Sequence, residues 1–169
     1  MNYMKKGSVE ISFGMIFSVI IIITLIGVAV YGITVFLQVG KTAEVGLFYR
    51  EFQKTVDEIW SSATTKRVVN FSIPSGIEFV CFGSIENNID AGRYTSQLRA
   101  LRTASSGFQQ QSTNVFLYPP EKAKDFAFQK IEKIDTSSLD TFECFEVRNR
   151  KVSIRLSKGE FESLVKIMR

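Results

Sequence analysis

The first quarter of the chain contains one long apolar segment. No Asp, Glu, Lys or Arg occurs from residue 11 to residue 40. About 27 apolar residues make roughly 40 Å of helix, and a hydrocarbon core of about 30 Å needs only about 20 residues. A secretory signal peptide would have a shorter apolar region, of about 7–15 residues, followed by a small-residue cleavage site. The pattern therefore predicts a retained transmembrane helix over residues 8–40, with membrane lipid as its partner.

Behind this span the pattern becomes that of an amphipathic helix. Apolar residues recur every three or four positions, which places them on one stripe, while charged residues lie mostly on the other faces. The stripe consists of Val45, Phe48, Phe52, Val56 and Ile59. No proline occurs before Pro74, so the span is expected to continue as one helix over residues 41–62. Gly40 and Gly46 are the positions where that helix could bend.

Residues 63–169 alternate between short strand patterns and turns, which predicts a small α+β head. One antiparallel sheet should pack on the helix stripe. Two hairpins are predicted, strands 68–73 with 77–82 and strands 142–147 with 151–156, together with a further strand at 114–118. Short helices are predicted around 94–101, over 121–134 and, after a capping-box pattern at 157–160, at 161–168. If Phe52, Trp60 and Phe79 belong to the core, truncating any of them would cost about 3–5 kcal/mol.

The chain has two cysteines, Cys81 and Cys144, each within an apolar strand pattern. Strand alternation turns both side chains inward. A disulfide between them would close a loop of about 63 residues and stabilise the head by about 4 kcal/mol, and it would suit an oxidising compartment. The alternative is two separate buried thiols that pack as small apolar side chains.

Composition and charge narrow the function classes. The chain has 21 Lys and Arg against 17 Asp and Glu, a mild surplus without the clustering that a nucleic-acid partner needs. It contains no His, the commonest general base and metal ligand. No phosphate-binding loop, metal-spaced ligand set or paired carboxylates stand out. The sequence therefore predicts a non-enzymatic protein with no catalytic residue, no metal site and no cofactor.

Basic residues predict the orientation of the span. Lys5 and Lys6 precede it, whereas Lys41 and Arg50 behind it are mixed with acidic residues. Positive charge favours the cytoplasmic side, so we expect a single-pass protein of the cell membrane with a cytoplasmic N-terminus and an extracytoplasmic head. Asn70 opens an Asn-Phe-Ser glycosylation sequon, which an outer domain could use.

Six residues immediately before the apolar run form the motif Lys5-Lys6-Gly7-Ser8-Val9-Glu10. This motif, with the long helix and small head behind it, resembles the class III signal peptide and layout of archaeal type IV pilin-like proteins. The layout is also similar to that of uncharacterised archaeal single-pass membrane proteins. The pilin resemblance implies a peptidase cut between Gly7 and Ser8 that removes the basic leader, residues 1–7. It also implies that the retained helix packs with those of identical or related subunits and that the head faces outward.

Three residues are candidates for subunit contact in such an assembly. Glu10 could pair with the free amine of a neighbouring subunit, or it could be a first-turn acid favoured by the helix dipole at the headgroup level. Gly14 and Ser18 form a small-residue pair that admits a close helix approach. We therefore expect a membrane-anchored, pilin-like structural subunit acting in surface assembly or interaction. The alternative is a stand-alone signal-anchored protein whose outer domain binds a ligand or a membrane complex.

Overall fold

A computed structural model describes residues 13–86, 89, 91–105, 113–136 and 142–168, with the backbone alone at residues 38, 39, 41 and 42. The fold is mixed α+β. The chain divides into two compact units, Met1–Val39 and Gly40–Arg169, and the second unit is termed the head below. A 48-residue helix, α1 (Phe13–Trp60), contributes residues to both units.

The part of α1 that belongs to the head is amphipathic, as its sequence predicts. All five residues of the apolar stripe are buried, and Phe52 and Val56 have no exposed surface. Tyr49 is buried beside the stripe and donates a hydrogen bond from its hydroxyl to the main-chain oxygen of Phe126, 2.9 Å away. At the C-terminal end of α1, Lys158 Nζ donates to the carbonyl oxygens of Trp60 and Ser62 at 2.7 and 3.0 Å. This lysine satisfies carbonyls that a helix end leaves without partners.

Two four-stranded sheets make up most of the head. Their strands are β1 (Thr65–Ser72), β2 (Phe79–Phe82), β3 (Val115–Tyr118), β4 (Phe128–Gln129), β5 (Ile134–Asp135), β6 (Glu143–Glu146), β7 (Lys151–Lys158) and β8 (Val165–Met168). Sheet A has the order β1-β7-β8-β5, and sheet B has the order β4-β3-β2-β6. Every neighbouring pair is antiparallel except β5 and β8, which are parallel.

Short helices connect the strands. A 3₁₀ turn (Gly92–Tyr94) leads into α2 (Thr95–Ser105), which buries Leu98 and Leu101. This confirms the helix predicted around residues 94–101. The helix α3 (Pro120–Ala123) follows β3, has Pro120 in its first turn and passes into a second 3₁₀ turn (Lys124–Phe126). Proline suits this position because its missing N–H would have no partner there.

The head has two hydrophobic cores because sheet B is buried on both faces. Val80 and Phe82 of β2 point into the first core, with the α1 stripe and the inner residues of both sheets. Cys81, between them, points into the second core, with Leu98 and Leu101 of α2. Continuous apolar runs such as that of β2 are typical of strands covered on both sides. The expected single sheet packed on the helix stripe is therefore replaced by two sheets and a second core.

The pairing expected within both predicted hairpins is wrong. The strand at 68–73 lies in sheet A and pairs with β7, whereas β2 lies in sheet B between β3 and β6. The tight turn predicted between β6 and β7 does form, because Arg148 and Lys151 exchange backbone hydrogen bonds of 2.9 and 3.0 Å. Its central residues Asn149 and Arg150 have φ values of 52° and 59°. The two strands then enter different sheets, so at both places the chain crosses between layers.

Two of the predicted helices are also wrong. Over 121–134 the helix ends at Ala123, and Lys124 and Lys133 take positive φ values of 52° and 62°, which an α-helix does not allow. The chain there forms β4 and β5 instead. At 161–168 the end of the segment is the strand β8, whose buried residues Val165 and Ile167 alternate with period two. Short apolar runs fit both the helical period of 3.6 and the strand period of 2. Here the segment forms a strand because it can pair with the edge of β7.

Candidate functional site

The apolar segment of α1 is the part of the structure whose chemistry is best defined. The most apolar 18-residue window within Phe13–Leu37 has a mean hydropathy of 2.8, and none of that window is buried by the rest of the described chain. The 25 residues of Phe13–Leu37 exceed the roughly 20 that a hydrocarbon core requires. The described part of the chain thus contains one helix, near the N-terminus, that is long and apolar enough to cross a membrane.

Hydroxyl groups within this segment are hydrogen-bonded to the helix itself. Ser18 Oγ donates to the Gly14 oxygen, Thr24 Oγ1 to the Ile20 oxygen and Thr34 Oγ1 to the Tyr31 oxygen, each at 2.8 Å. A polar group without a partner in hydrocarbon costs several kcal/mol. The segment therefore presents a surface that lipid can solvate despite its Ser and Thr residues.

The residues expected to mediate processing and subunit contact fall into two groups. Gly7, Ser8 and Glu10 lie outside the described residues. Gly14 and Ser18 are one helical turn apart on α1 and are joined by the hydroxyl–carbonyl bond given above. Their contact with another subunit stays a prediction.

The two cysteines are linked across sheet B. Cys81 and Cys144 lie directly opposite each other on β2 and β6, with Cα atoms 4.0 Å apart and an S–S bond of 2.00 Å. Both are buried in the second core, which also contains Phe116 and Phe142. The bridge joins parts of the chain separated by 63 residues and fixes β6 at the edge of sheet B.

The glycosylation candidate lies on an exposed strand face. Asn70 and Ser72 of the sequon are exposed on β1, while Phe71 between them is fully buried. Asn70 Oδ1 accepts a hydrogen bond of 2.5 Å from Ser153 Oγ on the neighbouring strand β7. The sequon is therefore accessible without disturbing the core.

Trp60 lies outside the core, so the condition on which its truncation would cost about 3–5 kcal/mol is not met. It is 40% exposed, and Phe79 is half-buried. The Trp60 indole donates from Nε1 to the Ser163 oxygen at 2.9 Å, and Lys133 Nζ lies 4.1 Å from its ring centre. Lys133 also bonds Asp57 at 3.1 Å. Trp60 thus links the loop before β8 to the C-terminal end of α1. The position of Trp60 in the apolar pattern of the helix does not predict this contact.

Burial of one hydroxyl and one ion pair shift pKa values in the head. Burial raises the pKa of the Tyr49 hydroxyl well above its usual 10.0. A hydrogen bond from Lys166, with a second from the Gly159 backbone N–H, lowers the pKa of Glu162, and the same ion pair raises the pKa of Lys166. Within the described residues no group of three His, Cys, Asp or Glu side chains could hold a metal ion. Tyr49 joins α1 to the main chain at Phe126, and the pair of Glu162 and Lys166 joins the loop before β8 to β8 itself.

The described residues thus form an α+β head and a long helix, α1, that includes one candidate membrane span. No family model, curated protein or solved structure matches the chain.

Proposed function

We propose that the protein is a pilin-like structural subunit, anchored in the cell membrane by α1 and acting in surface assembly or interaction through an extracytoplasmic head. One observation carries the proposal: a single helix supplies both the uncovered apolar segment Phe13–Leu37 and the buried stripe of the head core. Removal of α1 by proteolysis would take away both the membrane anchor and the apolar stripe at the centre of the head. The head therefore needs α1 in order to fold, and the helix stays in the mature protein.

Three further features support an extracytoplasmic head. Lys5 and Lys6 precede the span and favour a cytoplasmic N-terminus. The bridge between Cys81 and Cys144 is of a kind that persists in oxidising compartments. The exposed sequon at Asn70 is usable only where glycosylation enzymes act. Each of these is independent of the others.

The pilin-like role depends on processing after Gly7. N-terminal sequencing of the protein purified from its own membranes should give a mature start at Ser8, and electron microscopy of the same preparation should show assemblies. A Gly7→Leu variant should keep its leader and fail to assemble. A wild-type protein that retains residues 1–7 and stays monodisperse would instead support a stand-alone anchored protein whose outer domain binds a ligand or a membrane complex.

A further inference from the structure

The outer face of sheet A, turned away from the first core, carries an excess of basic side chains. Strand alternation places every second residue of each strand on this face, and the residues between them are buried, as Phe71 and Ile154 are. The basic residues at the strand positions of this face are Lys66, Lys151, Arg155 and Lys166. Asp135, the acidic residue at these positions, lies on β5, at the opposite edge of the sheet from β1. The half of the face that β1 and β7 form is therefore positively charged.

Asn70 lies in the middle of this charged half. It is directly opposite Ser153 on β7, so Lys151 and Arg155 are its two diagonal neighbours on the same face. Diagonal neighbours in an antiparallel pair are about 7–8 Å apart, within reach of long side chains. Lys66 lies on the same face of β1, four residues before Asn70, at about 13 Å. A group attached to Asn70 is therefore surrounded by three basic side chains.

Two of these basic side chains have no acidic partner on the protein. Among the described residues neither Lys66 nor Lys151 takes part in a salt bridge. Both are exposed. Like charges on one face produce a positive potential that attracts an anion.

The hydrogen bond at Asn70 engages the oxygen of its side-chain amide. Ser153 Oγ donates to Asn70 Oδ1 at 2.5 Å, which holds the amide beside β7. The amide nitrogen Nδ2, through which N-linked sugars are joined to Asn in an Asn-X-Ser sequon, stays available for attachment. The first sugar would then project from the centre of the basic half of the face.

We propose that Asn70 carries an acidic N-linked glycan whose carboxylate, sulfate or phosphate groups pair with Lys66, Lys151 and Arg155. Attachment transfers the glycan from a lipid-linked sugar phosphate. A bond forms between Nδ2 and the anomeric carbon, the bond from that carbon to the donor phosphate breaks, and the amide proton is released. The lipid phosphate is the leaving group. The proposal rests on the extracytoplasmic head of the proposed function.

Tethering is what makes these weak contacts sufficient. One exposed ion pair contributes little to binding, so a free anion would occupy the face poorly. A glycan attached to Asn70 is held at a high effective concentration beside the basic side chains, and weak pairs are then enough to order it. The face should therefore select the acidic class of glycan without being a pocket for a free sugar.

Mass spectrometry of the glycopeptide that contains Asn70, prepared from native membranes, tests the chemical class. The wild-type peptide should carry a glycan with at least one uronic acid, sulfated sugar or phosphorylated sugar, and Ser72→Ala should remove the glycan. A glycan built only of neutral sugars would overturn the proposal. An unmodified Asn70, in a head whose lysines react in intact cells, would overturn the proposal and leave the proposed function standing. Head lysines that react only after lysis would overturn both.

Lysine reactivity tests the contact between the glycan and the face. The purified full chain is labelled with an amine reagent at low salt, as wild type and as unglycosylated Ser72→Ala. Lys66 and Lys151 should react about threefold more slowly in the wild type, and salt of about 1 M should remove the difference. Ser72→Thr keeps the sequon and should behave as the wild type. Lys54, exposed on α1 and paired with Glu58, is the control lysine and should react equally in all three proteins.

Two results of the labelling would overturn the contact. One is equal reactivity of Lys66 and Lys151 with and without the glycan, or a difference that salt leaves unchanged, which is shielding by bulk alone. The other concerns a free polymer as the occupant. Dextran sulfate added to Ser72→Ala at the same molar concentration as the protein should protect these lysines far less than the attached glycan does. Equal protection would show that the face takes an external polyanion instead.

Discussion

Cys81 lies directly opposite Cys144 in the antiparallel pair of β2 and β6, and the bond between them closes the second core. Constraining 63 residues of chain removes conformational freedom from the unfolded state. The double variant Cys81→Ala/Cys144→Ala should therefore lose about 4 kcal/mol in its free energy of unfolding. Denaturant unfolding of detergent-solubilised protein measures this loss. Alkylation of two thiols in the native, unreduced wild-type protein would show that no bridge forms.

The stripe of α1 should dominate the stability of the head. Phe52 has no exposed surface and packs against Phe71 with ring centres 5.1 Å apart. Phe52→Ala should cost about 3–5 kcal/mol because it leaves a cavity between the helix and sheet A. Leu47→Ala, on the exposed side of the same helix, should stay within about 0.5 kcal/mol of the wild type. Equal losses for the two variants would contradict the burial of the stripe.

The sequon at Asn70 should carry a glycan in the native cell. The head of the wild-type protein should show a mass excess that is lost in both Asn70→Gln and Ser72→Ala. Ser72→Thr preserves the sequon and should retain the excess. Intact-mass analysis of protein from native membranes distinguishes these cases. A wild-type mass equal to that of the bare chain would refute modification at this site.

The loop that carries Phe161 should loosen in acid. The pKa of Glu162 in the folded protein lies below its usual 4.5 because Lys166 donates to it. The stabilisation is therefore present above pH 4.5 and is lost as the pH falls through the lowered value. In alkaline solution the raised pKa of Lys166 has the matching effect. The stabilisation by the ion pair is fully present below the usual pKa of 10.5 and is lost as the pH rises through the raised value. The protection factors of the 159–166 amides, which take the slower intrinsic exchange in acid into account, should fall as the pH is lowered, and Glu162→Gln should remove that dependence.

The sequence predicts the helix better than the sheets for a physical reason. Phe48, Phe52 and Val56 recur with the helical period, a local signal that needs no knowledge of the rest of the chain. Strand partners are not local: Phe71 lies opposite Val152, 81 positions later. The turns after β1 and before β7 are visible in the sequence. The sheet that each strand joins depends on how much apolar surface the strand buries there. The residues of a turn do not encode that choice.

The Phe161 loop shows how one local pattern can point to the wrong element. Ser157 and Glu160 match a capping box and so predict a helix after them. In the structure Ser157 pairs with Lys166 across β7 and β8, and Glu162 bonds the Gly159 N–H instead. The alternation of buried Val165 and Ile167 favours a strand instead, but it covers too few residues to outweigh the capping-box pattern. A phenylalanine between two glutamates after a glycine was the available hint of an exposed turn.

Labelling of head lysines in intact cells tests the central claim, a lipid-retained α1 with the head outside, most directly. A membrane-impermeant amine reagent is added, and the protein is then recovered from carbonate-washed membranes and mapped by mass spectrometry. Lys66 and Lys151 are exposed, so both should be modified to the same extent in intact and in lysed cells. Recovery of the protein in the carbonate supernatant, or lysines that react only after lysis, would contradict the account.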